Sequence, residues 1–415
     1  MPRIRSRIAE DLIGARLRTH GGVLITGPKA VGKTTTAESF AESAIFLDRD
    51  RAGLTAAQTD PDLVLDGDAP RLIDEYQLAD GLWEAVRGRI DSVAGKGLFL
   101  LTGSSTPERE SRLHSGAARI APVSMRTMSF MERGLSAGKV SVGRLLDGEL
   151  PPRVPDRISV ADLVEVMAIG GWPANLDLTT QEALDANADY LDMIIEVDMA
   201  RIDGVRRDPY RVRRLLASYA RNVATDAALR TIGRASDEPV AEATLHSYLA
   251  ALSRQFLIED QDAWKPSLRS RVRLAATPKR HLADPSLAIA ALGATPERLL
   301  RSEIEWAGFL FESQVIHDLR VYAAVHRSTL RFYRDNKGLE IDGIVESRDG
   351  RWIGIEVKLG HDRIDEAASN LLSLRGKVAG DVSDRCGGLA VVTANSPTYV
   401  RSDGIVVTSI AALGP

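Results

Sequence analysis

The sequence has a single cysteine, Cys386, among its 415 residues. One thiol cannot form an intramolecular disulfide and cannot supply a thiolate metal cluster. Aromatic residues make up only 5% of the chain, and no platform of aromatic side chains for stacking nucleic-acid bases is evident. The formal net charge of −4 provides no global attraction to nucleic acid, so any such contact requires a local basic patch.

Long apolar runs are absent as well. No segment approaches the roughly 18 apolar residues that a membrane helix needs, and the first residues, MPRIRSRIAEDLIGARL, carry charges where a signal peptide has its apolar core. Together with the single cysteine, these absences predict a soluble, cytoplasmic protein without a membrane partner. The apolar fraction of 44% and charged fraction of 27% are ordinary for globular proteins. The length predicts about two to four domains.

The first motif with chemical content is GGVLITGPKAVGKTTTAESF, Gly21–Phe40. An apolar strand, Val23–Thr26, leads into a glycine-rich loop and then a helix, which is the context of a Walker A motif. In such a loop the backbone N–H groups surround phosphate, Lys33 contacts the β and γ phosphates, and the Thr34 hydroxyl ligates magnesium. We therefore expect ATP and Mg²⁺ as cofactors. The predicted nucleotide-binding residues are Gly27, Pro28, Lys29, Ala30, Val31, Gly32, Lys33, Thr34 and Thr35.

A phosphate loop needs a second strand that brings a carboxylate to the metal. The segment PRLIDEYQ, Pro70–Gln77, provides a short apolar strand that ends in two acids. We expect Asp74 to hold magnesium through water and Glu75 to polarise the attacking water. The alternative is that the two acids mark the solvated start of a helix.

A third strand is predicted within GLFLLTGSS, Gly97–Ser105. Its end places Thr102 or Ser104 between the other two strand ends, and Ser104 is the predicted sensor of the γ-phosphate. Strands separated by helical segments predict an α/β fold with a doubly wound parallel sheet. In such a sheet, ligands bind at the carboxyl ends of the strands.

These motifs resemble the AAA-type ATPases of bacteria and archaea that carry a poorly characterised C-terminal domain. The matching stretches are GPKAVGKTT, DEYQ, LTGSS, HSGAARI (His114–Ile120), MRTMSFMERG (Met125–Gly134) and GGWP (Gly170–Pro173). The resemblance implies a homo-oligomer in which an arginine before the fifth strand completes a neighbour's site, and Arg119 stands at that place. The family more often has Gly-Arg there, where this chain has Ala118-Arg119. The alternative is a surface arginine in a local salt bridge.

Three of the predicted parts follow from this resemblance and from helical spacing: an ATPase core over 1–135, a helical lid over 136–205 and a winged-helix-like domain over 206–292. In the third part, two helical patterns precede a short predicted strand, Phe256–Glu259. No acid occurs between Asp262 and Asp284, and the basic residues there suggest a wing that could follow a phosphate backbone. The alternative is a solvated loop or a contact with acidic surfaces of the ATPase core. These basic residues are Lys265, Arg269, Arg271, Arg273, Lys279 and Arg280.

The segment YRDNKGLEIDGIVESRDGRWIGIEVKLG, Tyr333–Gly360, predicts a hairpin with a turn at Arg348–Gly350. Pairing about Asp349 places Asp342 opposite Glu356 and Glu340 opposite Lys358 on one face. A two-residue turn would shift this register by one residue. The apolar residues of the other face, Ile341, Val345, Ile355 and Val357, are expected to be buried. Opposed carboxylates are destabilising unless a cation lies between them.

This pattern resembles the PD-(D/E)XK nuclease superfamily, with Asp342 as the metal-binding aspartate and Glu356-Val357-Lys358 as the (D/E)-X-K element. The resemblance covers a predicted nuclease-like α/β domain over 297–415 and implies magnesium at Asp342 and Glu356, with Glu312 of an upstream helix joining them. Lys358 would be catalytic, because it would orient the water or stabilise the charged phosphate. An alternative is that Lys358 pairs with Glu340 across the hairpin.

Two functional hypotheses follow. In the first, an ATP-driven oligomer acts on nucleic acid, with DNA favoured over RNA, and cuts it at the C-terminal site. In the second, the ATPase core is a nucleotide-controlled switch whose C-terminal domain is a non-catalytic interaction module. The set Asp342, Glu356 and Lys358 favours the first, whereas the lack of net basicity and of aromatic platforms favours the second.

Overall fold

The computed structural model describes residues 6–105, 118–155, 158–199, 205, 207–234, 241–266 and 277–415. These residues group into two compact units. The first unit is drawn from 1–127, 197–206 and 250–257, and the second from 128–196, 207–249 and 258–415. His114 of the motif HSGAARI, and Arg269, Arg271 and Arg273 of the predicted wing, lie outside the described residues.

The first unit contains a parallel five-stranded sheet, which confirms the predicted α/β core. The strand order is β2-β3-β4-β1-β5. The strands are β1 Gly22–Thr26, β2 Ser43–Phe46, β3 Arg71–Asp74, β4 Phe99–Gly103 and β5 Ile120–Ser124. Because all five run in the same direction, the residues that follow β1, β3 and β4 meet at one edge of the sheet.

Helices of the first unit connect and cover these strands. They are α1 Ala9–Leu17, α2 Lys33–Glu38, α3 Arg51–Thr59 and α4 Leu82–Val93. The helix α4 buries Leu82, Val86 and Ile90, which are spaced by one helical turn and belong to the same apolar core as Phe99 and Leu101 of β4. The core therefore fixes α4 against the sheet whose edge presents the predicted nucleotide-binding residues.

A helical region follows in sequence. Its helices are α5 Val142–Leu146, α6 Val160–Ile169, α7 Thr180–Met193, α8 Pro209–Arg221, α9 Leu229–Gly233, α10 Glu242–Arg254, α11 Pro285–Ala291 and α12 Pro296–Ser302, and a π-helical turn, Ile194–Asp198, continues α7. At the start of α7, Thr179 and Glu182 form a capping box, which satisfies two backbone donors reciprocally.

The predicted strand Phe256–Glu259 is wrong. Phe256 adopts a left-handed conformation with φ of 55°, which interrupts an extended segment. In the described residues that follow, the pairing is by isolated bridges, between Ile258 and Leu282, between Gln261 and Lys279 and between Ala263 and Phe332. The described part of this region therefore lacks the regular strand pair that the winged-helix prediction requires.

The C-terminal part contains a mixed six-stranded sheet with the order β11-β12-β10-β9-β8-β7. Its strands are β7 Thr329–Arg334, β8 Glu340–Glu346, β9 Trp352–Lys358, β10 Cys386–Thr393, β11 Tyr399–Val400 and β12 Val406–Ser409. The associated helices are α13 Ile304–Val325, α14 Ile364–Lys377 and α15 Gly380–Ser383. Two short strands, β6 Val140–Ser141 and β13 Leu413–Gly414, pair separately.

The hairpin β8–β9 has the predicted register. Glu346 pairs with Trp352 and Gly343 with Ile355, which is symmetric about Asp349. Trp352 is fully buried, lies 5.1 Å from Trp264 between ring centroids, and donates its indole N–H to the Val382 carbonyl at 2.7 Å. The predicted apolar face, Ile341, Val345, Ile355 and Val357, is buried as expected. The packing of this face fixes the positions of the acidic side chains on the opposite face.

Candidate functional site

The loop after β1 can form only around glycine at position 27. Gly27 has a φ of 151°, and a Cβ atom there would lie 1.9 Å from the carbonyl oxygen of Met125. Lys33 begins α2, and its ammonium group donates to the carbonyl oxygens of Gly27 at 2.9 Å and Pro28 at 2.7 Å. Burial lowers the pKa of Lys33 to about 8. The carbonyl groups of the loop thus hold the buried ammonium group of Lys33.

The remaining predicted loop residues are placed as follows. Lys29 forms an ion pair with Asp198 at 2.7 Å. Ala30 and Gly32 both have positive φ angles, 62° and 91°. The Val31 carbonyl accepts a hydrogen bond from Arg7 at 2.5 Å. Thr35 is exposed on the first turn of α2. The sequence interpretation did not include Asp198 or Arg7. Asp198 lies 169 residues from Lys29 and Arg7 lies 24 residues from Val31, so no local sequence pattern indicates either contact.

The ends of α2, β3 and β4 meet at Asp74. The Asp74 Oδ1 atom accepts from the Thr34 hydroxyl at 2.8 Å and from the Thr102 hydroxyl at 2.5 Å. Thr102 also accepts from the backbone N–H of Glu75 at 3.1 Å. Burial raises the pKa of Asp74, and the two hydroxyl hydrogen bonds oppose that rise. Thr102 therefore contacts the Asp74 carboxylate and the backbone of Glu75, whereas the sequence interpretation chose Ser104 over it as the sensor.

Glu75 is held by two polar side chains. Its backbone is left-handed, with φ of 54°, directly after the end of β3. The Ser104 hydroxyl donates to Glu75 Oε2 at 2.7 Å, and the Gln77 amide donates to the same oxygen. Gln77 was not among the predicted site residues, although it lies two positions after Glu75 in the motif DEYQ.

The residues at the end of β3 fit magnesium. Thr34 and Asp74 offer a hydroxyl and a carboxylate within 2.8 Å of each other. Mg²⁺ is typically bound by one or two such protein oxygens, with water and substrate phosphates completing its coordination. These two side chains would therefore hold Mg²⁺ next to Lys33 and Glu75.

Arg119 lies directly before β5, at the amino-terminal ends of the strands of the same sheet. Its carbonyl accepts from the N–H of Gly22, the first residue of β1, and its guanidinium donates to Asp91 at 2.6 Å. Because Ile120 pairs with Gly22 in parallel, Arg119 is level with Gly21, and the rise along β1 to Gly27 separates its backbone from the phosphate loop by roughly 20 Å. The structure does not bring Arg119 to the loop of its own chain. Its predicted role toward a neighbour stays a prediction.

The C-terminal sheet brings the predicted carboxylates together. Lys358 Nζ lies 2.7 Å from Glu356 Oε2 and 3.9 Å from Asp342 Oδ2. Asp342 Oδ2 accepts from the backbone N–H of Val357 at 2.9 Å, and Glu356 Oε1 accepts from the Asn370 amide at 3.3 Å. The alternative pairing of Lys358 with Glu340 is not observed, because Glu340 contacts other cations.

Lys279 is the residue that the sequence interpretation placed wrongly. Its side chain is 1% exposed, and its ammonium nitrogen lies 2.6 Å from Glu312 Oε1, 2.6 Å from Glu340 Oε1 and 3.1 Å from Asp342 Oδ1. Arg280 is also buried and pairs with Asp260. Neither residue is part of an exposed basic wing, because Lys279 pairs with the buried acids Glu312 and Asp342 and Arg280 pairs with the half-buried Asp260. No local pattern indicates this, since Glu312 and Asp342 are 33 and 63 residues away.

These contacts shift the pKa values of the acids around Lys279 and Lys358. Burial and the charge of Asp342 raise the pKa of Glu312 to about 8, and the same two causes raise the pKa of Glu356 to about 8. Burial opposes the charge on Lys279, but the three carboxylates hold the pKa of Lys279 well above its ordinary value. Within the described residues, no group of three or more His, Cys, Asp or Glu side chains is arranged to hold a metal ion. The ammonium group of Lys279 contacts Glu312 and Asp342, two of the three predicted ligands, and magnesium binding by Glu312, Asp342 and Glu356 stays a prediction.

Three parts of the chain match known families. Residues 19–133 match the family described as "AAA domain", residues 160–298 match "Domain of unknown function (DUF8612)" and residues 307–413 match "Domain of unknown function (DUF4143)". The chain thus contains an AAA-type Walker ATPase domain followed by two domains of unknown function.

The chain is similar to the uncharacterized protein Rv2008c of Mycobacterium tuberculosis, with 27% identity over 348 residues, covering 81% of this chain and 70% of that protein. Among solved structures, the Walker-type ATPase PABY2304 of Pyrococcus abyssi has a TM-score of 0.41 at 14% identity, covering 69% of this chain and 96% of that one. AMPPCP-bound DnaA from Aquifex aeolicus has a TM-score of 0.27 at 14% identity, covering 59% and 86%. Among the described helices, none combines the length and apolar character that crossing a membrane requires.

Proposed function

We propose that this protein binds ATP with Mg²⁺ and hydrolyses it, and that its C-terminal domain serves as an interaction module controlled by the nucleotide. The observation that carries the first part is the convergence of Lys33, Thr34, Asp74 and Glu75 at the carboxyl edge of the parallel sheet. This set contains the cation, the two metal ligands and the base that phosphoryl transfer to water requires.

Each side chain has a distinct task in this proposal. When ATP binds, the ammonium group of Lys33 leaves the carbonyl oxygens of Gly27 and Pro28 and donates to phosphate oxygens. Charged phosphate oxygens are stronger acceptors for an ammonium group than carbonyl oxygens are. Thr34 and Asp74 would hold Mg²⁺, which supplies charge neutralisation at the phosphates. Glu75 orients the attacking water and accepts its proton, and Ser104 holds the Glu75 carboxylate in place.

The test separates binding from hydrolysis. We expect Lys33→Ala to lose ATP binding and hydrolysis, because the phosphate charge is left uncompensated. Glu75→Gln should bind ATP but hydrolyse it on the order of 100-fold more slowly, because the base is removed. Binding of a fluorescent ATP analogue and phosphate release measure the two steps.

Lys96→Ala and Glu84→Gln are matched controls, since both residues are exposed in the same unit. They should leave binding and hydrolysis unchanged. If Glu75→Gln loses as much ATP binding as Lys33→Ala, the roles assigned to the two residues are wrong.

Metal-dependent cleavage of nucleic acid is the second candidate, favoured by the clustering of Asp342, Glu356 and Lys358. Two observations count against it. Lys279 lies among the acids that would hold the metal. Of the basic residues in the predicted wing that the structure describes, Lys279 and Arg280 are buried and only Lys265 is exposed. We therefore expect no nicking of labelled DNA or RNA with Mg²⁺ or Mn²⁺, and nicking that disappears in Asp342→Asn would restore the nuclease hypothesis.

A further inference from the structure

We propose that the ammonium group of Lys279 occupies the cation position of the C-terminal carboxylate cluster, defined as Glu312, Glu340, Asp342 and Glu356. The native protein keeps this cluster free of divalent metal. Removal of the ammonium group converts the cluster into a divalent-cation site. This inference concerns the C-terminal domain and does not depend on the proposed ATPase activity.

The geometry at Lys279 is that of a satisfied buried cation. A lysine ammonium has three N–H donors, and three carboxylates of the cluster surround this one at 2.6, 2.6 and 3.1 Å. The side chain is 1% exposed, so water does not replace these partners. A buried charge is tolerated only when it is paired in this way.

The position of Lys279 is fixed by the backbone. Its N–H donates to the Gln261 carbonyl at 2.9 Å, and its own carbonyl accepts from the Gln261 N–H at 2.9 Å. The Gln261 side chain donates to the backbone carbonyl of Asp342 at 2.9 Å. The segment that carries Lys279 is therefore connected to the strand that carries Asp342. The ammonium position follows from the fold and does not result from a flexible side chain reaching toward the nearest acid.

A divalent ion and the ammonium group exclude each other. Magnesium binds oxygen at about 2.0–2.1 Å, so an ion between Glu312 and Asp342 would occupy the space in which the Lys279 nitrogen lies. The two cations would also repel each other in a site with little water. The carboxylate oxygens that do not contact Lys279 have other partners. Asp342 Oδ2 accepts a hydrogen bond from the Val357 N–H, and Glu356 accepts hydrogen bonds from Lys358 and Asn370.

Removing the ammonium should expose a site with suitable chemistry. The four side chains are oxygen ligands of the kind that Mn²⁺ and Mg²⁺ prefer. Without Lys279 their repulsion is no longer compensated, and a divalent ion would restore the balance. Lys358 lies 3.9 Å from Asp342 and contacts Glu356, so it does not fill the position between Glu312 and Asp342.

The experiment is Mn²⁺ binding without nucleotide, measured by electron paramagnetic resonance and by thermal unfolding. We compare the native protein with Asp342→Asn, Lys279→Met, the double variant and Lys279→Gln. Methionine keeps the length and the apolar stem of lysine without the charge. Lys265→Met, at an exposed position, is the matched control. Binding at the intact Walker loop is common to all these proteins and cancels in the comparison.

We expect the native protein, Asp342→Asn and Lys265→Met to bind the same amount of Mn²⁺. Lys279→Met should gain a single Mn²⁺ site and a rise in melting temperature with Mn²⁺, and the double variant should lose both. The inference is overturned if the native protein has an Mn²⁺ site that Asp342→Asn removes, or if folded Lys279→Met gains none. Lys279→Gln repeats this test if Lys279→Met does not fold. If neither folds, equal binding by the native protein and Asp342→Asn supports the inference, and unequal binding refutes it.

Discussion

At the scale of single residues, burial determines how Cys386 reacts. Its thiol lies at the start of β10, 3.6 Å from the Gly388 carbonyl that accepts its weak hydrogen bond, and burial raises the pKa of the Cys386 thiol to about 11. The ordinary value is about 8.5. Because the native pKa is raised, the contribution of the neutral thiol to stability is present below the unfolded value and is lost as pH rises through the native one.

We predict that the native thiol is alkylated slowly, with a rate that continues to increase from pH 8 to pH 10 because the thiolate fraction is still rising. The unfolded protein should level off above about pH 9, since its thiol has the ordinary pKa. Iodoacetamide labelling followed by mass spectrometry measures both rates. A native rate that levels off near the same pH as the unfolded rate would contradict the prediction.

Ser104 provides a second test at this scale. Its hydroxyl donates to Glu75 at 2.7 Å, a hydrogen bond to a charged acceptor. Such bonds contribute about 1.5 kcal/mol or more, so Ser104→Ala should slow ATP hydrolysis by roughly tenfold without weakening ATP binding. Phosphate release and nucleotide titration measure the two effects. Ser92→Ala, at an exposed position of α4, is the control, and a loss of binding in Ser104→Ala alone would contradict the assigned role.

The sequence allowed the residues of the Walker motifs to be placed together because their spacing encodes their geometry. A strand, a glycine loop and a helix position Lys33 and Thr34, and the next strands position Asp74 and Ser104. Lys279 carries no such local signal. A lysine in a run of basic residues is normally exposed, and its partners come from distant strands and helices, so only the fold shows that it is buried.

At the scale of elements, the turn between β1 and α2 depends on Gly27. Any side chain there would meet the Met125 carbonyl at 1.9 Å, and the φ of 151° is unfavourable for other residues. We predict that Gly27→Ala loses ATP binding, because the loop must move although no polar group is removed. Gly88→Ala is the matched control, since nothing lies within 4 Å of a Cβ added at that position in α4.

The control should keep ATP binding and should be stabilised by about 0.5–1 kcal/mol, because alanine is the better helix residue. Calorimetric titration with ATP and urea unfolding measure binding and stability. If Gly27→Ala still binds ATP as the native protein does, the loop does not have the geometry described.

Strands with apolar runs could be predicted, whereas strands defined by tertiary contacts could not. β1, β3, β4 and the hairpin β8–β9 were predicted from their apolar residues and their turn. β11 has two residues, which is too few to show a period, and the backbone of Phe256 interrupts a segment whose composition favours a strand.

At the scale of the whole molecule, composition limited the possibilities but did not identify the function. The net charge of −4 counted against a general affinity for nucleic acid, and the motifs identified the ATPase domain. The C-terminal sheet was expected from its hairpin, yet its order and the burial of Lys279 depend on contacts between distant segments. The four-part division at 135, 205 and 292 stays a prediction.

Arg119 is the residue whose role depends on assembly. Its backbone lies roughly 20 Å from the phosphate loop of its own chain, at the opposite ends of the strands, and its half-buried side chain pairs with Asp91. If a neighbour's nucleotide is its target, hydrolysis per chain should rise with protein concentration in the range where subunits associate. Arg119→Ala should bind ATP but hydrolyse it on the order of 10³-fold more slowly, because an arginine supplied in trans neutralises transition-state charge.

The alternative is that Arg119 matters only through its salt bridge with Asp91. Asp91→Ala removes that bridge and leaves the guanidinium in place, so it should keep hydrolysis if Arg119 acts on a neighbour. Arg89→Ala, which removes an ion pair with Asp66 from the same helix as Asp91, controls for the loss of a surface charge. Turnover that does not change with protein concentration, or an equal loss in Asp91→Ala and Arg119→Ala, would show that the arginine is structural. Phosphate release across a dilution series, with sedimentation at the same concentrations, distinguishes the two roles, because only a residue acting in trans links the rate to the fraction of associated chains.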